Sequence, residues 1–580
     1  MSNGEATTFV NAAIYTGSSR NPNNAERTGW YGSGILQVSN GKIVSCALWS
    51  GPGESDWLNL KGYTIIPGFH DSHLHLMGGG WAEVGGECDL RGTVEPAEYE
   101  TLIKKWAVTH RDTSRQAEND WVAGSGWAVE AFFDPQSGRR WPTREILDRW
   151  VPDRPAFLGL RDGHAAWLNS IALDKAALPE SDRDVIGGWI ERDSSGRPSG
   201  TLHEWATNYV KDSCPSPVPD EKLVQRVFTY AQNEVLFRRG ITGWQDAGIV
   251  YTPGGQADTY RTALANGTLK GRATCAFFWN PFDERPVKDQ IADLCAARNG
   301  LQDSTHIIAD SVKIYLDGIV ENWTAALLEP YAMKTQVPGD CGTLHYKEES
   351  LREIVGGLAK MGLSTHFHAI GDAAVEQALK VLTAVKGTLA SHHQIAHLQL
   401  VTDNDLARFA GIAFASIQPS WACGGQQMEQ YNVKALGPVR AKRMYRFNSL
   451  RQKGAILAGG SDWPVSSMSG TQKWPKGNVD PLGGIYVAMT RKSPEDPDLP
   501  PLEPEKEKLS FTDALDAYTT GSAQAGGWGD RSLVSGHAAD FVVLNKKLDE
   551  NTSAEDLREV KVLATYVAGE AVYKAPEWPY

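Results

Sequence analysis

The chain has 580 residues, which is long enough for one large barrel with additional modules or for roughly three or four ordinary domains. Its 41% of hydrophobic and 22% of charged residues are typical of a folded globular protein with a sizeable core. The net charge of −13, without a run of Lys and Arg, argues against a nucleic-acid partner, because phosphates are bound by basic side chains.

The sequence also gives no sign of secretion or of a membrane. No segment approaches the roughly 18 apolar residues that a membrane-spanning helix requires. The polar first residues lack the basic start and apolar centre of a signal peptide. The seven cysteines are scattered and form no Cys-x-x-Cys pair, which favours reduced thiols. We therefore expect a cytoplasmic protein without a membrane partner, and a homodimer stays open as its assembly.

The two ends of the chain have the patterns of β-strands. In residues 1–66, short apolar patches are separated by Gly, Asn and Ser. Residues 39–42 read Ser-Asn-Gly-Lys, which is typical of a two-residue hairpin turn. Residues 535–580 show the same pattern of short apolar patches. We predict that both ends combine in one β-sandwich domain.

The middle of the chain alternates short apolar runs with helical stretches, which is the pattern of parallel βα units. Residues 67–77 and 229–534 are therefore predicted to form an α/β fold, a (β/α)8 TIM-like barrel. Residues 78–228 are far longer than an ordinary βα loop and predict an α/β insert after the first barrel strand. Eight apolar runs are the candidate barrel strands: residues 63–67, 241–245, 273–278, 311–316, 363–368, 394–398, 412–417 and 455–458.

A possible metal-binding motif directly follows the first of these runs. Residues 67–75 read Pro-Gly-Phe-His-Asp-Ser-His-Leu-His. Because side chains two apart on an extended segment point the same way, His73 and His75 can bind one ion. A bare His-x-His is more often structural, but its place at the carboxyl end of a barrel strand, where barrels keep their catalytic groups, favours function.

Further candidate ligands stand at the ends of later runs. His368, His397 and Asp462 each occupy such a position, although any one of these histidines could instead be a buried structural side chain. Together, four imidazoles and one carboxylate match the ligand preferences of a borderline-soft divalent ion such as Zn²⁺.

The order His-x-His, Lys, His, His, Asp along successive strands resembles the amidohydrolase superfamily. The sequence around these residues resembles amidohydrolase family 3, the subgroup that contains N-substituted formamide deformylases. The matching segments are spread over most of the chain: residues 67–69, 161–165, 313–318, 368–372, 418–419, 460–465 and 536–540.

The resemblance implies that His73 and His75 bind a first metal and that His368 and His397 bind a second. Lys313 falls where many members carry a carboxylated lysine that bridges two metals. An ammonium group has no lone pair at neutral pH, whereas a carbamate offers two oxygens. The expected cofactor is Zn²⁺, two per chain, although another divalent metal would also fit. An ion-paired or surface lysine is the alternative for Lys313.

The resemblance also implies catalytic roles for two residues. Asp462 would contact the first metal and act as general base and then as general acid. Its alternative is a helix N-cap or turn residue. His164, in the insert, would donate a hydrogen bond to the substrate carbonyl oxygen. His366 shares a strand face with His368, but the resemblance favours His368, so His366 is left out of the predicted site.

Three residues are predicted to contact the substrate. The resemblance implies that Asp317 and Gln418 orient it, and Trp463 stands beside Asp462 in the sequence. Glu204 and Arg440 match positions of the subgroup, but they could equally be structural ion partners. Together with a tryptophan-rich insert, Trp463 favours an aromatic or otherwise apolar N-acyl compound.

The expected reaction is hydrolysis of a carbonyl–nitrogen bond, in an amide, N-acyl or N-formyl compound rather than a peptide. Metals would lower the pKa of a bound water, supply hydroxide and polarise the carbonyl group. Two other functions stay open. One is a metal-dependent isomerase or lyase, because neither a fold nor a metal site fixes the reaction. The other is a non-catalytic binding protein, although such a protein would be expected to lose ligands, and all six positions are filled.

Overall fold

The computed structural model describes residues 6–18, 29–52, 54–84, 87–111, 120–132, 141–180, 187–211, 221–333, 341–387, 391–425, 428–465 and 479–580. Within these ranges the strands form three sheets: one from the two chain ends, one in the barrel and one in the insert. None of the helices in the described ranges combines the length and apolarity that crossing a membrane would require.

Eight parallel strands form the barrel. The first barrel strand, Phe69–Leu74, lies beside the last, Leu457–Gly459. The Ser72 hydroxyl of the first strand donates to the Ala458 carbonyl of the last at 3.1 Å, so the barrel is nearly closed. The predicted TIM-like barrel is thereby confirmed. In chain order the strands are Phe69–Leu74, Ile241–Ile249, Arg272–Phe278, Ile307–Tyr315, Ser364–Ala369, Gln394–His397, Phe414–Ile417 and Leu457–Gly459.

The helices of the barrel domain bury one face against these strands. In Glu348–Lys360, the side chains of Leu351, Val355 and Leu358 recur at helical spacing and are buried, while the acidic first turn favours the helix amino end. The helices after the second barrel strand are Gln256–Ala265, Val287–Leu301, Glu348–Lys360, Asp372–Ala384, Asp403–Leu406, Lys434–Leu436, Pro438–Ala441, Phe447–Gln452, Pro481–Thr490, Phe511–Asp516 and Ser522–Ala525.

The structure corrects one of the eight predicted barrel strands. The strand Thr64–Pro67 pairs with Phe541–Leu544 in the end sheet, and Phe69–Leu74 is the first barrel strand. Gly68 separates the two strands and packs closely on the barrel: a Cβ at this position would lie 2.1 Å from the Thr242 hydroxyl. The strand Phe69–Leu74 is polar at four of its six positions, so it lacks the apolar run by which the other barrel strands were predicted. His73 consequently lies inside a barrel strand rather than after it.

Strands from both chain ends form one sheet. Its two halves join where Thr64–Pro67 pairs with Phe541–Leu544 in antiparallel register. The predicted hairpin is confirmed, because Ser39 pairs with Lys42 across the Asn-Gly turn. The sandwich arrangement stays a prediction. The strands are Thr7–Tyr15, Trp30–Ser39, Lys42–Leu48, Leu58–Asn59, Thr64–Pro67, Phe541–Leu544, Val562–Val567 and Glu570–Lys574, and one short helix is Ala554–Leu557.

The chain between the first and second barrel strands contains a six-stranded sheet. Two of the tryptophans of this region serve packing: Trp127 and Trp167 are fully buried and lie edge to face at 6.4 Å. The strands are Cys88–Asp89, Val122–Trp127, Ala156–Leu160, Ala165–Leu168, Gly188–Arg192 and Pro198–Glu204. The helices of this region are Leu76–Val84, Pro96–Thr109, Arg144–Trp150, Ser170–Lys175, Asn208–Lys211 and Glu221–Tyr230.

Candidate metal and active site

The end of the first barrel strand runs beside the loop that follows the eighth. The backbone N–H of Asp462 donates to the His73 carbonyl at 2.7 Å, and the N–H of His75 donates to the Trp463 carbonyl at 2.7 Å. This pairing brings three side chains together. Oδ1 of Asp462 lies 3.2 Å from Nε2 of His75 and 3.4 Å from Nε2 of His73.

A second carboxylate, that of Asp71, joins the first barrel strand to the loop after the eighth. Oδ1 of Asp71 accepts hydrogen bonds from the backbone N–H groups of His73 and Ser461, each at 3.0 Å. Burial raises the pKa of Asp71 to about 7, although these hydrogen bonds act in the opposite direction. Asp71 is not among the residues that the sequence pattern predicted. The feature of the sequence that could have identified Asp71 is its position two residues before His73.

Three further barrel strands complete the cluster. Nζ of Lys313, from the fourth strand, lies 3.0 Å from Nε2 of His73. The ring of His397 lies 4.8 Å from that of His73 and 4.5 Å from that of His368. All six predicted ligands line one cavity at the carboxyl ends of the strands. Within the described residues, the ligand atoms of His73, His397 and Asp462 lie within 4.8 Å of one another.

The cluster presents neutral imidazoles and an ionised carboxylate. Burial lowers the pKa of His73 and His368 well below the ordinary value and that of His397 to about 3. Burial alone would raise the pKa of Asp462, but its interactions with His75 and His397 hold it below the ordinary value. Neutral rings keep a lone pair, so these groups have the donor chemistry that a divalent transition metal requires.

Lys313 is also unusual in its protonation. Its side chain is buried beneath the histidines, with Nζ 4.7 Å from the centre of the Tyr315 ring. Burial lowers the pKa of its ammonium group to about 7, although Asp462 acts in the opposite direction. A substantial neutral fraction is therefore present near neutral pH.

Two of the candidate ligands adopt a strained backbone. His397 and Asp462 have φ values of 76° and 56°, a left-handed region that non-glycine residues rarely occupy. Such residues persist where the surrounding structure over-determines them, and they cluster at ligand sites. From this backbone conformation both side chains enter the same cavity.

Two side chains support the ligands from within the barrel. Nε2 of His366 lies 2.8 Å from Nδ1 of His73, and Gln245 contacts the other nitrogen of His366 at 2.7 Å. Oε1 of Gln418 lies 2.9 Å from Nδ1 of His397. His366 is therefore not a member of the cavity wall but a contact of a wall residue.

The structure does not place the three predicted substrate contacts at the cavity, which is a correction. Asp317 is fully buried, and its carboxylate accepts three backbone N–H groups at 2.8 to 3.0 Å. Gln418 contacts His397 instead. Trp463 is fully buried against Gly79, where a Cβ would lie 2.4 Å from the indole. For Trp463 the reason is geometric: it directly follows Asp462, and successive side chains of an extended segment point to opposite sides.

Arg440 has a structural role in the described part of the chain. Its guanidinium donates to the backbone carbonyls of Leu436, Glu329 and Pro330 at 2.7 to 3.0 Å. These contacts favour the structural interpretation that the sequence left open for this residue.

The insert supplies the opposite wall of the cavity. The ring of His164 lies 5.3 Å from that of His368, and its Nδ1 lies 2.6 Å from Oε2 of Glu204. Burial alone would lower the pKa of His164, but the negative charge of Glu204 outweighs it and raises the pKa to about 9. His164 is therefore a cation near neutral pH and can donate from both ring nitrogens.

Two cavities, of about 650 and 60 Å³, meet at this site. Both are lined by His164 and Asp462. The larger has an aromatic wall that includes Trp205, Phe278 and Phe282. A molecule bound in either cavity would therefore lie beside these two polar residues.

Comparisons with known proteins identify the family and the fold. A family model described as "Amidohydrolase family" matches residues 56–573. Protein LONG AFTER FAR-RED 3 of Arabidopsis thaliana is 30% identical over 565 residues, which cover 93% of this chain and 88% of that protein. N-substituted formamide deformylase of Arthrobacter pascens is 24% identical over 531 residues, or 90% of each chain. An uncharacterized metal-dependent hydrolase from Pyrococcus furiosus shares the fold, with a TM-score of 0.64, 24% identity, and coverage of 94% of this chain and 100% of that one.

Proposed function

Because the chain belongs to the amidohydrolase family, we propose that it is a metal-dependent hydrolase that cleaves a carbonyl–nitrogen bond of a small molecule. The observation that carries this proposal is the convergence of His73, His75, Lys313, His368, His397 and Asp462 in one cavity. A relative whose name states that it deformylates N-substituted formamides supports the choice of bond.

The residues fit a divalent metal. Burial keeps the imidazoles of His73, His368 and His397 neutral, and the carboxylate of Asp462 is ionised. Oδ1 of Asp462 is buried and receives no hydrogen bond of ordinary geometry, which is costly unless a cation is present. We propose that His73, His75 and Asp462 hold one Zn²⁺ ion and that His368 and His397 hold another. Carboxylated Lys313 would bridge the two.

The proposed mechanism assigns separate steps to two side chains. Bound divalent metal supplies Lewis acidity, which lowers the pKa of water and polarises a carbonyl group. The carboxylate of Asp462 accepts the proton of the attacking water and later delivers it to the leaving nitrogen. Nε2 of His164 donates a hydrogen bond to the carbonyl oxygen as negative charge develops on it.

The shapes of the cavities favour a substrate with one small and one large substituent. A volume of 60 Å³ holds a group of the size of about two water molecules. The larger cavity offers Trp205, Phe278 and Phe282 to an apolar or aromatic group. We propose an amide, N-acyl or N-formyl compound with such a group.

Isotope labelling tests the reaction type. A panel of N-formyl and N-acyl amines is incubated with metal-loaded protein in ¹⁸O-labelled water, and the products are analysed by mass spectrometry. Hydrolysis places one ¹⁸O atom in the carboxylate product. Product without ¹⁸O would point to an isomerase or lyase, and absence of any product across the panel would argue against this function.

The first prediction concerns metal content. We expect protein purified without chelator to contain close to two divalent metal ions per chain, with zinc as the main element, and His73→Ala to lose at least the ion that His73 holds. His392→Ala is a matched control, because His392 pairs with Asp310 and does not line the cavity. Elemental analysis measures both. Turnover by metal-free protein would contradict the prediction.

The second prediction concerns His164. Its replacement by Ala should lower kcat by about 10²–10³, the usual effect of losing a donor to a developing oxyanion, without changing the metal content. His110→Ala is the control, because His110 is an exposed histidine of the insert. Steady-state kinetics and elemental analysis check the result. A variant that loses its metal would show that His164 is a ligand.

A further inference from the structure

We propose that Glu204 is a positioning residue that fixes the His164 ring against the substrate carbonyl group, so that the two residues act as one unit. Glu204 ends the insert strand Pro198–Glu204, and its side chain is only 5% exposed. The inference rests on the proposed function, because it concerns the donor to the reacting carbonyl oxygen.

The carboxylate of Glu204 is held at both oxygens. Oε2 lies 2.6 Å from Nδ1 of His164. Oε1 accepts the hydroxyl of Thr324 at 2.6 Å and the amide of Asn322 at 3.4 Å. Because Nδ1 of His164 donates to this fixed carboxylate, Nε2 is the ring nitrogen left for a ligand in the cavity.

The backbone reinforces the same arrangement. The N–H of Glu204 donates to the His164 carbonyl at 2.8 Å, and Asn322 donates to that carbonyl at 3.1 Å. Glu204 has a φ of 52° and a ψ of −130°, which is rare for a residue with a side chain. The structure thus maintains a strained backbone at the point where the carboxylate reaches the histidine.

The pair also joins the insert to the barrel. Thr324 and Asn322 belong to the loop after the fourth barrel strand, the strand that carries Lys313. His164 and Glu204 come from the insert, and both line the large cavity. By contrast, the buried Arg154–Asp120 pair of the same insert lines neither described cavity and serves packing. The His164–Glu204 pair differs from it in that both side chains face the cavity.

A double-mutant cycle tests the proposal. We expect Glu204→Gln to lower kcat by about 10- to 100-fold, as the loss of an orienting partner commonly does. KM should change by less than about threefold, because the interaction belongs to the transition state. In the His164→Ala background, the same change should lower kcat by less than about twofold, because the residue it orients is gone.

Two further variants complete the design. Thr324→Val removes one donor to Glu204 and keeps the carboxylate, so it should cause a smaller loss of kcat that also vanishes in the His164→Ala background. Asp193→Asn is the control, since Asp193 lies in a turn of the insert away from the cavity, and it should leave kcat unchanged in both backgrounds. Losses that multiply with that of His164→Ala would overturn the proposal.

A crystal structure of Glu204→Ala separates this inference from the proposed function. The His164 ring should leave its position while the barrel histidines keep theirs. An unmoved ring would overturn the inference, even in a protein that hydrolyses amides. Absence of amide hydrolysis by the wild-type protein would instead reject the proposed function, and the position of the ring would still decide whether Glu204 holds it.

Discussion

Asp462→Asn should lower kcat by about 10²–10⁴, equivalent to about 3 to 5 kcal/mol of transition-state stabilisation, while the fold and most of the metal remain. The amide has nearly the same size as the carboxylate and keeps one oxygen donor, but it cannot accept the proton of the attacking water. Steady-state kinetics, elemental analysis and thermal unfolding check the three parts of this expectation.

A buried carboxylate at the start of a barrel helix provides the control. Asp372 begins the helix Asp372–Ala384, and its Oδ1 accepts the N–H of Leu328 at 2.9 Å. Asp372→Asn should reduce kcat far less than Asp462→Asn, because Asp372 does not line the cavity. A near-normal kcat of Asp462→Asn would mean that another group accepts the proton, and the mechanism would have to be revised.

Lys313→Ala should abolish most activity and reduce the metal content. A carbamate forms when the neutral amine of lysine attacks carbon dioxide and loses a proton. Burial lowers the pKa of Lys313 to about 7, so the neutral amine needed for this step is available near neutral pH. Short carboxylic acids should restore part of the activity of Lys313→Ala, because they can supply the missing anionic oxygens. Kinetics with and without added acid measure this rescue.

The wild-type protein offers a complementary measurement. Metal-free protein should regain activity faster when zinc is added together with bicarbonate than when zinc is added alone. Lys360→Ala is the control for Lys313→Ala, since Lys360 is an exposed lysine at the end of a helix. Retention of both metals and full activity by Lys313→Ala would contradict a bridging carbamate. So would a crystal structure with Lys313 unmodified and turned away from the metals.

The sequence by itself determined the barrel and its candidate ligands. Seven of the eight predicted barrel strands coincide with observed ones, because apolar runs between helical stretches can only be buried as parallel strands. The position of a polar residue at the end of such a run then places it at the mouth of a barrel. This local rule placed His368, His397 and Asp462 in one cavity without knowledge of any contact, whereas His73 lies inside the first barrel strand.

Only the tertiary structure decided which neighbours of these residues face the cavity. The sequence could not separate the end-sheet strand Thr64–Pro67 from the barrel strand Phe69–Leu74, because pairing partners distant in the chain distinguish them. It likewise assigned Asp317 to the substrate, although backbone N–H groups occupy its carboxylate.

Glu204 is a second example of what the sequence alone could not decide. The sequence left its role open, and three-dimensional contacts with His164 and Thr324 define its surroundings. The physical reason is that spacing along a strand fixes only the face on which a side chain lies. The partner that a side chain meets is set by loops from remote parts of the chain, and their approach depends on the packing of the whole fold.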